Sequence, residues 1–193
     1  SFGERFNRDP VGNSLAILVL VGIVYALLQV SSQFGTAGKT MSEWPLWLLP
    51  ALITVGVIAA GYLSYIEITA SEAVCGPVGD CNAVQQSPYA KLFGFLPVGL
   101  LGLVGYVLIG LASWMAFMGS NERREQARWA LLLISVGGTL FSLYLTSLEP
   151  FVIGAVCLWC LSSAVVMTLL MLFATSHMPK NWRRRYGKKV SAK

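Results

Sequence analysis

Charged residues are scarce in this sequence. Asp, Glu, Lys and Arg account for 12% of the 193 residues, whereas hydrophobic residues account for 55% and the mean hydropathy is +0.65. A typical soluble domain carries about 25% charged residues. The shortage argues against a water-soluble fold and predicts a protein that faces lipid over much of its surface.

Basic residues are also missing from most of the chain. The net charge is +5, but most positive residues gather in two places beside apolar runs, at 123–128 and in the tail at 180–193. Clusters of this kind are typical of membrane topology and not of a face that binds DNA. We therefore expect a lipid bilayer, and no nucleic acid, as a partner.

Five apolar runs are long enough to cross a bilayer as helices, because about 20 residues rising 1.5 Å each match the hydrocarbon thickness. They occupy residues 14–34, 47–68, 97–117, 129–148 and 151–174. Between them, residues 119–128 are predicted to form a charged loop, and residues 83–95 a short helix over the membrane mouth. Only Glu149 and Pro150 separate the last two runs, so their helices are predicted to be antiparallel neighbours.

Small residues recur in two of these runs. Gly56, Ala60 and Ser64 are spaced four residues apart in the second run, and glycines recur every third residue from Gly99 to Gly105 in the third. Small side chains on one helical face allow a neighbouring helix to come close. The sequence has no low-complexity tract or convincing internal repeat, so it predicts one all-α membrane domain.

Cysteine occurs four times, in two close pairs. Cys157 and Cys160 form a Cys-x-x-Cys motif in the first turns of the last run, which brings both sulfurs to one end and one side of that helix. Two thiols so placed can close a small ring that is readily reduced and re-formed. The motif therefore indicates redox chemistry at the membrane rather than a structural disulfide.

The other pair, Cys75 and Cys81, lies in the long segment between the second and third runs. The residues between the two cysteines include two glycines, a proline and an aspartate. This composition is typical of a turn that brings two Cα atoms within disulfide range.

The distribution of Lys and Arg also predicts an orientation. The loop at 119–128 and the tail lie on one side, because two runs separate them, and the cysteine loop with only Lys91 lies on the other. The positive-inside rule makes the first side cytoplasmic. All four cysteines then share the outer face, where disulfides persist. Five helices also place Ser1 outside, in conflict with Arg5 and Arg8, so the orientation of the first helix is left open.

These features occur in an order that resembles the vitamin K epoxide reductase family, in its bacterial type. The shared pattern is a Cys-x5-Cys loop, a serine, an aromatic-alanine pair, a glycine, a proline that opens the next helix, and a final Cys-x-x-Cys. Here the positions are Cys75, Cys81, Ser87, Tyr89, Ala90, Gly94, Pro97, Cys157 and Cys160. The resemblance covers residues 47–175 as the catalytic domain. It leaves a lead and extra helix in 1–46 and a basic cytoplasmic tail in 176–193.

The resemblance implies a four-helix transmembrane bundle with one additional N-terminal transmembrane helix. It also implies a membrane thiol oxidoreductase that uses a quinone, such as menaquinone or ubiquinone. In bacterial members a thioredoxin-like extracytoplasmic protein supplies the electrons, which supports disulfide formation. Carried over, Cys75 and Cys81 take the electrons, Cys157 exchanges with them, and Cys160 faces the quinone. The partner is expected to be a separate protein or part of a longer chain, at the outer side of a bacterial cytoplasmic membrane.

Further residues follow from the same comparison and from local chemistry. The Ser87 hydroxyl is expected near the pocket, with a turn or helix cap as the alternative role. Trp159 and Phe151 are expected as apolar walls for the quinone ring. A helix N-terminus is expected to lower the pKa of Cys157. Animal members that reduce vitamin K carry a tyrosine where this chain has Ala164, which argues against epoxide reduction of the animal type.

Other readings of the same residues remain. The cysteines could be inert or could bind zinc, although the single histidine, His177, is not near them in the sequence. Glu67 and Glu149 are interpreted as interfacial residues at span ends rather than proton carriers. The chain could also be a transporter of reducing equivalents, which would want thiols reachable from both faces. A scaffold with a structural disulfide would tolerate the loss of either pair.

Overall fold

The computed structural model describes residues 3, 6–35, 44–76, 78–92 and 94–178. Its helices are α1 (Pro10–Gly35), α2 (Leu48–Thr69), α3 (Cys81–Gln85), α4 (Val98–Met118), α5 (Asn121–Leu148) and α6 (Leu158–Ser176). A 3-10 turn (Pro88–Ala90) and two short antiparallel strands, β1 (Lys91–Leu92) and β2 (Leu96–Pro97), precede α4. A π-helical turn (Glu149–Ile153) follows α5 directly.

Five of these helices are long and apolar enough to cross a membrane: α1, α2, α4, α5 with the π-helical turn, and α6. Large apolar side chains cover their outer faces, among them Leu18, Val21, Leu28, Ile58, Leu111, Trp114, Leu133 and Leu140. An aqueous surface would leave this much apolar area unfavourably hydrated, whereas lipid accommodates it. The predicted all-α membrane class is confirmed.

Helices α2, α4, α5 and α6 form a four-helix bundle. In the bundle α2 packs against α4 and α6, and α5 packs against the same two helices. The core between them contains Leu49, Leu52, Ile109, Leu131, Leu132, Leu170 and Phe173. The first helix, α1, lies outside the ring and packs against α5 and α6, where Ala26 and Val30 are buried with Met171. The predicted four-helix bundle with one additional N-terminal helix is confirmed.

Gly56 and Gly99, two of the small residues predicted to allow close helix packing, do so, whereas an added Cβ at Gly105 would meet no atom within 4 Å. Gly56 on α2 lies against the ring of Tyr106 on α4, and a Cβ at Gly56 would overlap that ring. The fully buried Tyr106 donates its hydroxyl hydrogen to the Ser163 carbonyl at 3.0 Å, which ties α4 to α6. A Cβ at Gly99 would lie 2.7 Å from the Ser64 nitrogen. These contacts bring α2 and α4 close enough for the van der Waals packing that holds helices together in lipid.

The predicted charged loop at 119–128 is wrong for most of its length, since α5 begins at Asn121. Hydropathy marks where a helix enters lipid but not where the helix itself starts. The residues from Asn121 to Arg128 are rich in Glu, Arg, Gln and Ala, which favour helix. Glu122 in the first turn also interacts favourably with the helix dipole.

The last helix begins at Leu158 rather than at residue 151. The π-helical turn that follows α5 ends at Gly154, whose φ of 75° is the left-handed conformation that glycine adopts most readily. The amide of Gly154 donates to the Glu149 carbonyl at 2.7 Å and closes this turn. An apolar run thus contains a break that hydropathy alone does not reveal.

The segment predicted as one short helix at 83–95 is divided into several elements. Only α3 and a 3-10 turn are helical, and the chain then forms the β1–β2 hairpin. Pro88 disfavours helical backbone at Ser87, the residue before it, which explains why α3 stops. The basic tail beyond residue 178, the connection at 36–43 and residue 77 of the predicted turn lie outside the described residues.

Candidate redox-active site

The Cys-x-x-Cys motif lies at the N-terminus of α6. Cys157 is the N-cap residue, and its Sγ accepts a hydrogen bond from the Cys160 amide at 3.3 Å. Both cysteines are free; Cys157 is fully buried and Cys160 is partly exposed. A hydrogen bond from the Cys160 thiol lowers the pKa of Cys157, in the direction predicted from the helix end. Cys157 is therefore the thiol better prepared to act as a thiolate.

The second cysteine pair forms a disulfide. Cys75 and Cys81 are bonded, with their Cα atoms 6.0 Å apart, as the intervening turn predicted. Cys81 begins α3, and the side chain of Asp80 caps that helix by accepting from the Ala83 amide at 3.0 Å. Cys81 is fully buried, whereas Cys75 is partly exposed. The loop disulfide thus joins a buried cysteine to a partly exposed one.

The disulfide loop is docked on the start of α6. The Asp80 amide donates to the Val156 carbonyl at 3.0 Å. Gly79 has a φ of 89°, and a Cβ there would lie 2.5 Å from the same carbonyl oxygen, so the close approach requires glycine. Cys81 and Cys157 consequently belong to one buried cluster, and Cys75 and Cys160 pack against it.

A second set of contacts holds the loop on its other side. The Val74 amide donates to the Tyr62 hydroxyl at 2.7 Å, and the Trp159 indole donates to the Val74 carbonyl at 3.1 Å. The two rings lie 4.6 Å apart between centroids. We call Tyr62, Trp159 and the Val74 backbone the Val74 clamp. The clamp connects the residue before Cys75 to both α2 and α6.

A cavity of about 310 Å³ lies between the four helices of the bundle, within the size range of small-molecule pockets. Cys160 lines it, and the other three cysteines do not. Five glycines contribute to the wall: Gly99, Gly102, Gly105, Gly137 and Gly138. The remaining wall is largely apolar, with hydroxyl groups at Ser142, Thr146 and Ser163.

The model of the vitamin K epoxide reductase family matches residues 71–175, more than half of the chain. The match contains both cysteine pairs, the docked loop and helices α3 to α6. The chain belongs to the vitamin K epoxide reductase family. No curated protein was found to match the sequence. Membership makes the protein a membrane oxidoreductase of a quinone-associated family.

Two residues predicted to lie beside the quinone, Ser87 from the family pattern and Trp159 from its apolar ring, lie away from this cavity. The Ser87 hydroxyl donates to the Val84 carbonyl at 2.6 Å, and Ser87 precedes the 3-10 turn. Trp159 belongs to the Val74 clamp, and neither residue lines the cavity. Their predicted contact with a quinone stays a prediction, whereas Ala164, which replaces the tyrosine of the animal members, does line the cavity.

Glu149 was missed as a site residue by sequence reasoning. It is 2% exposed, so its side chain is enclosed by protein, and its depth at the membrane interface stays a prediction. Its carboxylate accepts from the Cys157 amide, while its Oε2 atom has no hydrogen-bond partner in the described part of the chain. Glu67, by contrast, is only partly buried, and its Oε2 accepts from the Gly99 amide at 2.8 Å at the start of α4.

Gln85 is a further neighbour of the cysteines that the family pattern did not single out. It ends α3, and its Nε2 lies 3.8 Å from the Cys160 Sγ. The amide side chain thereby links the disulfide loop to the cysteine that lines the cavity. No three His, Cys, Asp or Glu side chains within the described ranges are grouped to hold a metal ion.

Proposed function

We propose that this protein is a membrane thiol:quinone oxidoreductase that supports disulfide bond formation. Electrons pass from a thioredoxin-like protein to the Cys75–Cys81 pair, then to the Cys157–Cys160 pair, and finally to a quinone. One observation carries the proposal: Cys160 lines the cavity between the helices, while Cys157 is buried with Cys81. The spatial order of the cysteines therefore matches the proposed order of electron transfer.

The cavity fits a quinone head group in size and in chemistry. Its wall is mostly apolar, which suits a flat ring, and it includes the Ser142 and Thr146 hydroxyls; the Ser163 hydroxyl already shares a hydrogen bond with Tyr106. A quinone bound there would accept two electrons and two protons. Cys160 reaches the cavity from the end where the disulfide loop docks, so it is the thiol that would lie beside the ring.

The first transfer is a thiol–disulfide exchange between the two pairs. A loop cysteine, as thiolate, attacks the Cys157–Cys160 disulfide, and a second exchange leaves the loop oxidised and the α6 pair reduced. This end state is the one described above, with a Cys75–Cys81 disulfide and two free thiols. The loop thiolate bonds to the Cys157 sulfur and expels Cys160, so Cys157 is the leaving group of the second exchange. Its lowered pKa favours that step, because a more stable thiolate leaves faster.

The position of the cysteines also favours the relay over the alternative functions. All four lie in or against one buried cluster at one end of the bundle. A transporter would require thiols that are accessible from both faces of the membrane. A scaffold would need only the disulfide, and it would not explain a free thiol that lines a cavity of ligand size.

We also propose that this end of the bundle faces the outer side of a bacterial cytoplasmic membrane. Arg123, Arg124 and Arg128 lie in the first turns of α5, whose other end meets the cysteine site. The positive-inside rule assigns the arginine end to the cytoplasm. After reduction, a membrane-impermeant thiol reagent should label Cys75 or Cys81 in intact cells. Labelling only after the membrane is opened would reverse the orientation.

The size of the electron donor tests the relay. In purified protein supplied with a short-chain ubiquinone, Cys75→Ala with Cys81→Ala should retain much of its quinol formation with dithiothreitol. It should lose quinol formation with a thioredoxin-like protein, because a folded donor cannot reach the fully buried Cys157. Cys160→Ala should be inactive with both donors and is the matched control.

Two results would contradict this relay. Equal loss with both donors would mean that the loop pair shapes the cavity rather than carrying electrons. Equal retention with both donors would reduce the loop disulfide to a structural bond. A Cys160→Ala protein that forms quinol at the wild-type rate would rule out the whole assignment.

A further inference from the structure

The burial of Glu149 is the feature that the relay leaves unexplained. The residue is only 2% exposed, and its Oε2 atom has no hydrogen-bond partner within the residues the structure describes. A buried carboxylate with one oxygen unpaired is costly, because burial disfavours its charge. Ionisable side chains in such destabilising surroundings are often found at functional sites.

The local backbone places Glu149 next to the thiol pair. The π-helical turn begins at this residue, and π-helical segments are rare and often lie at functional sites. The carboxylate accepts from the amide of Cys157, and its charge also acts on Cys160. Thr146, one helical turn earlier on α5, lines the cavity. Glu149 thus lies between the thiol pair and the cavity end of α5.

The other charged groups around this site are few. Helices α1 (Pro10–Gly35) and α3 both pack against the π-helical turn, and neither contains Asp, Glu, Lys, Arg or His. From α2, Glu67 acts on Cys160. The loop cysteines form a disulfide and do not titrate. Glu149 interacts directly with Cys157, and its charge also acts on Cys160, so both thiols are candidates to exchange a proton with it.

Glu149 and Cys157 cannot both be charged at low cost. The charge of each disfavours the charge of the other, and no Lys or Arg in the surroundings named above offsets the pair. Two close acidic groups in a buried site are therefore more stable when they share one proton than when both are charged. Such a pair can pass that proton from sulfur to oxygen without involving bulk water.

We propose that Glu149 is the acid–base group of the Cys157–Cys160 pair, an inference that rests on the proposed quinone reduction. The Cys157 S–H bond breaks, its proton passes to Glu149 Oε2, and the Cys157 sulfur forms the S–S bond with Cys160. Both sulfurs are oxidised. The electron pair and two protons, one from Cys160 and one from Glu149, leave for the quinone, and Glu149 returns to its carboxylate form.

Glu149→Gln tests the proposal, because the amide still accepts a hydrogen bond from the Cys157 amide but cannot take a proton. With dithiothreitol and a short-chain ubiquinone, turnover near neutral pH should fall by about 100-fold, the lower end of general acid–base effects. The lost rate should return as the pH rises, since Cys157 then loses its proton to solvent. Glu149→Asp should recover part of the rate. Glu72→Gln removes an exposed carboxylate of the same loop and should match the wild type.

A second readout does not depend on quinone turnover. In the dithiothreitol-reduced protein, infrared spectra should contain a carboxylic acid C=O band that Glu149→Gln abolishes and Glu72→Gln leaves intact. Its intensity should change over the same pH interval as the part of the ultraviolet thiolate absorbance that Cys157→Ala removes. After the titration, re-formation of the loop disulfide is checked by mass and reports whether each variant remains folded. If Glu149→Gln does not remain folded, Glu149→Asp replaces it in the titration.

The outcomes separate this proposal from the proposed function. If the wild type forms no quinol, the relay fails, and the infrared titration still decides the role of Glu149. If quinol forms but Glu149→Gln turns over within about threefold of wild type with an unchanged pH profile, the proton role is overturned. A Glu149 C=O band that stays constant while the thiolate forms also overturns it.

Discussion

The Val74 clamp predicts how firmly the disulfide loop is held. Tyr62→Phe removes the acceptor for the Val74 amide, and Trp159→Phe removes the donor to the Val74 carbonyl, while both keep an aromatic ring. A net hydrogen bond contributes about 0.5–1.5 kcal/mol. Val74 is 76% exposed, so the lower value of about 0.5 kcal/mol applies to each.

These energies set the expected change in loop opening. Since 1.4 kcal/mol is a factor of ten, each variant should raise the undocked population by about twofold, and the double variant by about fivefold. Hydrogen exchange of the Asp80 amide measures this population, because its acceptor is the Val156 carbonyl on the far side of the loop. If the loop undocks as one unit, this distant amide should exchange faster by the same factors.

A matched control separates the clamp from a general effect of losing tyrosine. Tyr65 lies on the same helix and is exposed, so Tyr65→Phe should leave exchange of the Asp80 amide unchanged. An unchanged Asp80 amide in the Tyr62 and Trp159 double variant would refute the reasoning. It would mean that the contact with Val156 and the disulfide hold the loop without help from the clamp.

Two further predictions concern the thiol pair and the bundle. Because the Cys160 thiol lowers the pKa of Cys157, Cys160→Ala should raise that pKa and slow alkylation of Cys157 near neutral pH, whereas Cys160→Ser should largely preserve the rate. Equal rates in both variants would refute that cause. Gly56→Ala should cost about 1–3 kcal/mol in thermal unfolding, because the added Cβ overlaps the buried Tyr106 ring. Gly61→Ala, which meets no atom within 4 Å, is its control, and equal losses would contradict the packing.

The helical architecture could be predicted because it depends on local properties of the chain. Hydropathy located the five spans, and the turn composition between Cys75 and Cys81 indicated their disulfide. Four-residue spacing placed Gly56, Ala60 and Ser64 on one buried face of α2. Each of these signals operates within one segment, so no knowledge of the tertiary path was needed.

The fine structure of the site could not be predicted because it depends on how distant segments meet. Trp159 was assigned to the quinone wall from its apolar ring, but its N–H requires an acceptor, and the docked loop supplies the Val74 carbonyl. Glu149 resembles an interfacial acid in sequence, yet the π-helical turn places it inside the protein. Neither the path of the loop nor the π-helical turn has a signal in hydropathy.

The glycines around the cavity have a consequence for how the size of the cavity can change. Gly99 is needed for packing, because an added Cβ would lie 2.7 Å from the Ser64 backbone nitrogen, whereas at Gly138 it would lie 2.8 Å from the flexible Met167 side chain. At Gly105 and Gly137 an added Cβ would meet nothing within 4 Å, and at Gly102 it would make an ordinary 3.6 Å contact. Single substitutions at these three positions therefore narrow the cavity without disturbing the bundle. The dimensions of the cavity can be varied independently of the fold.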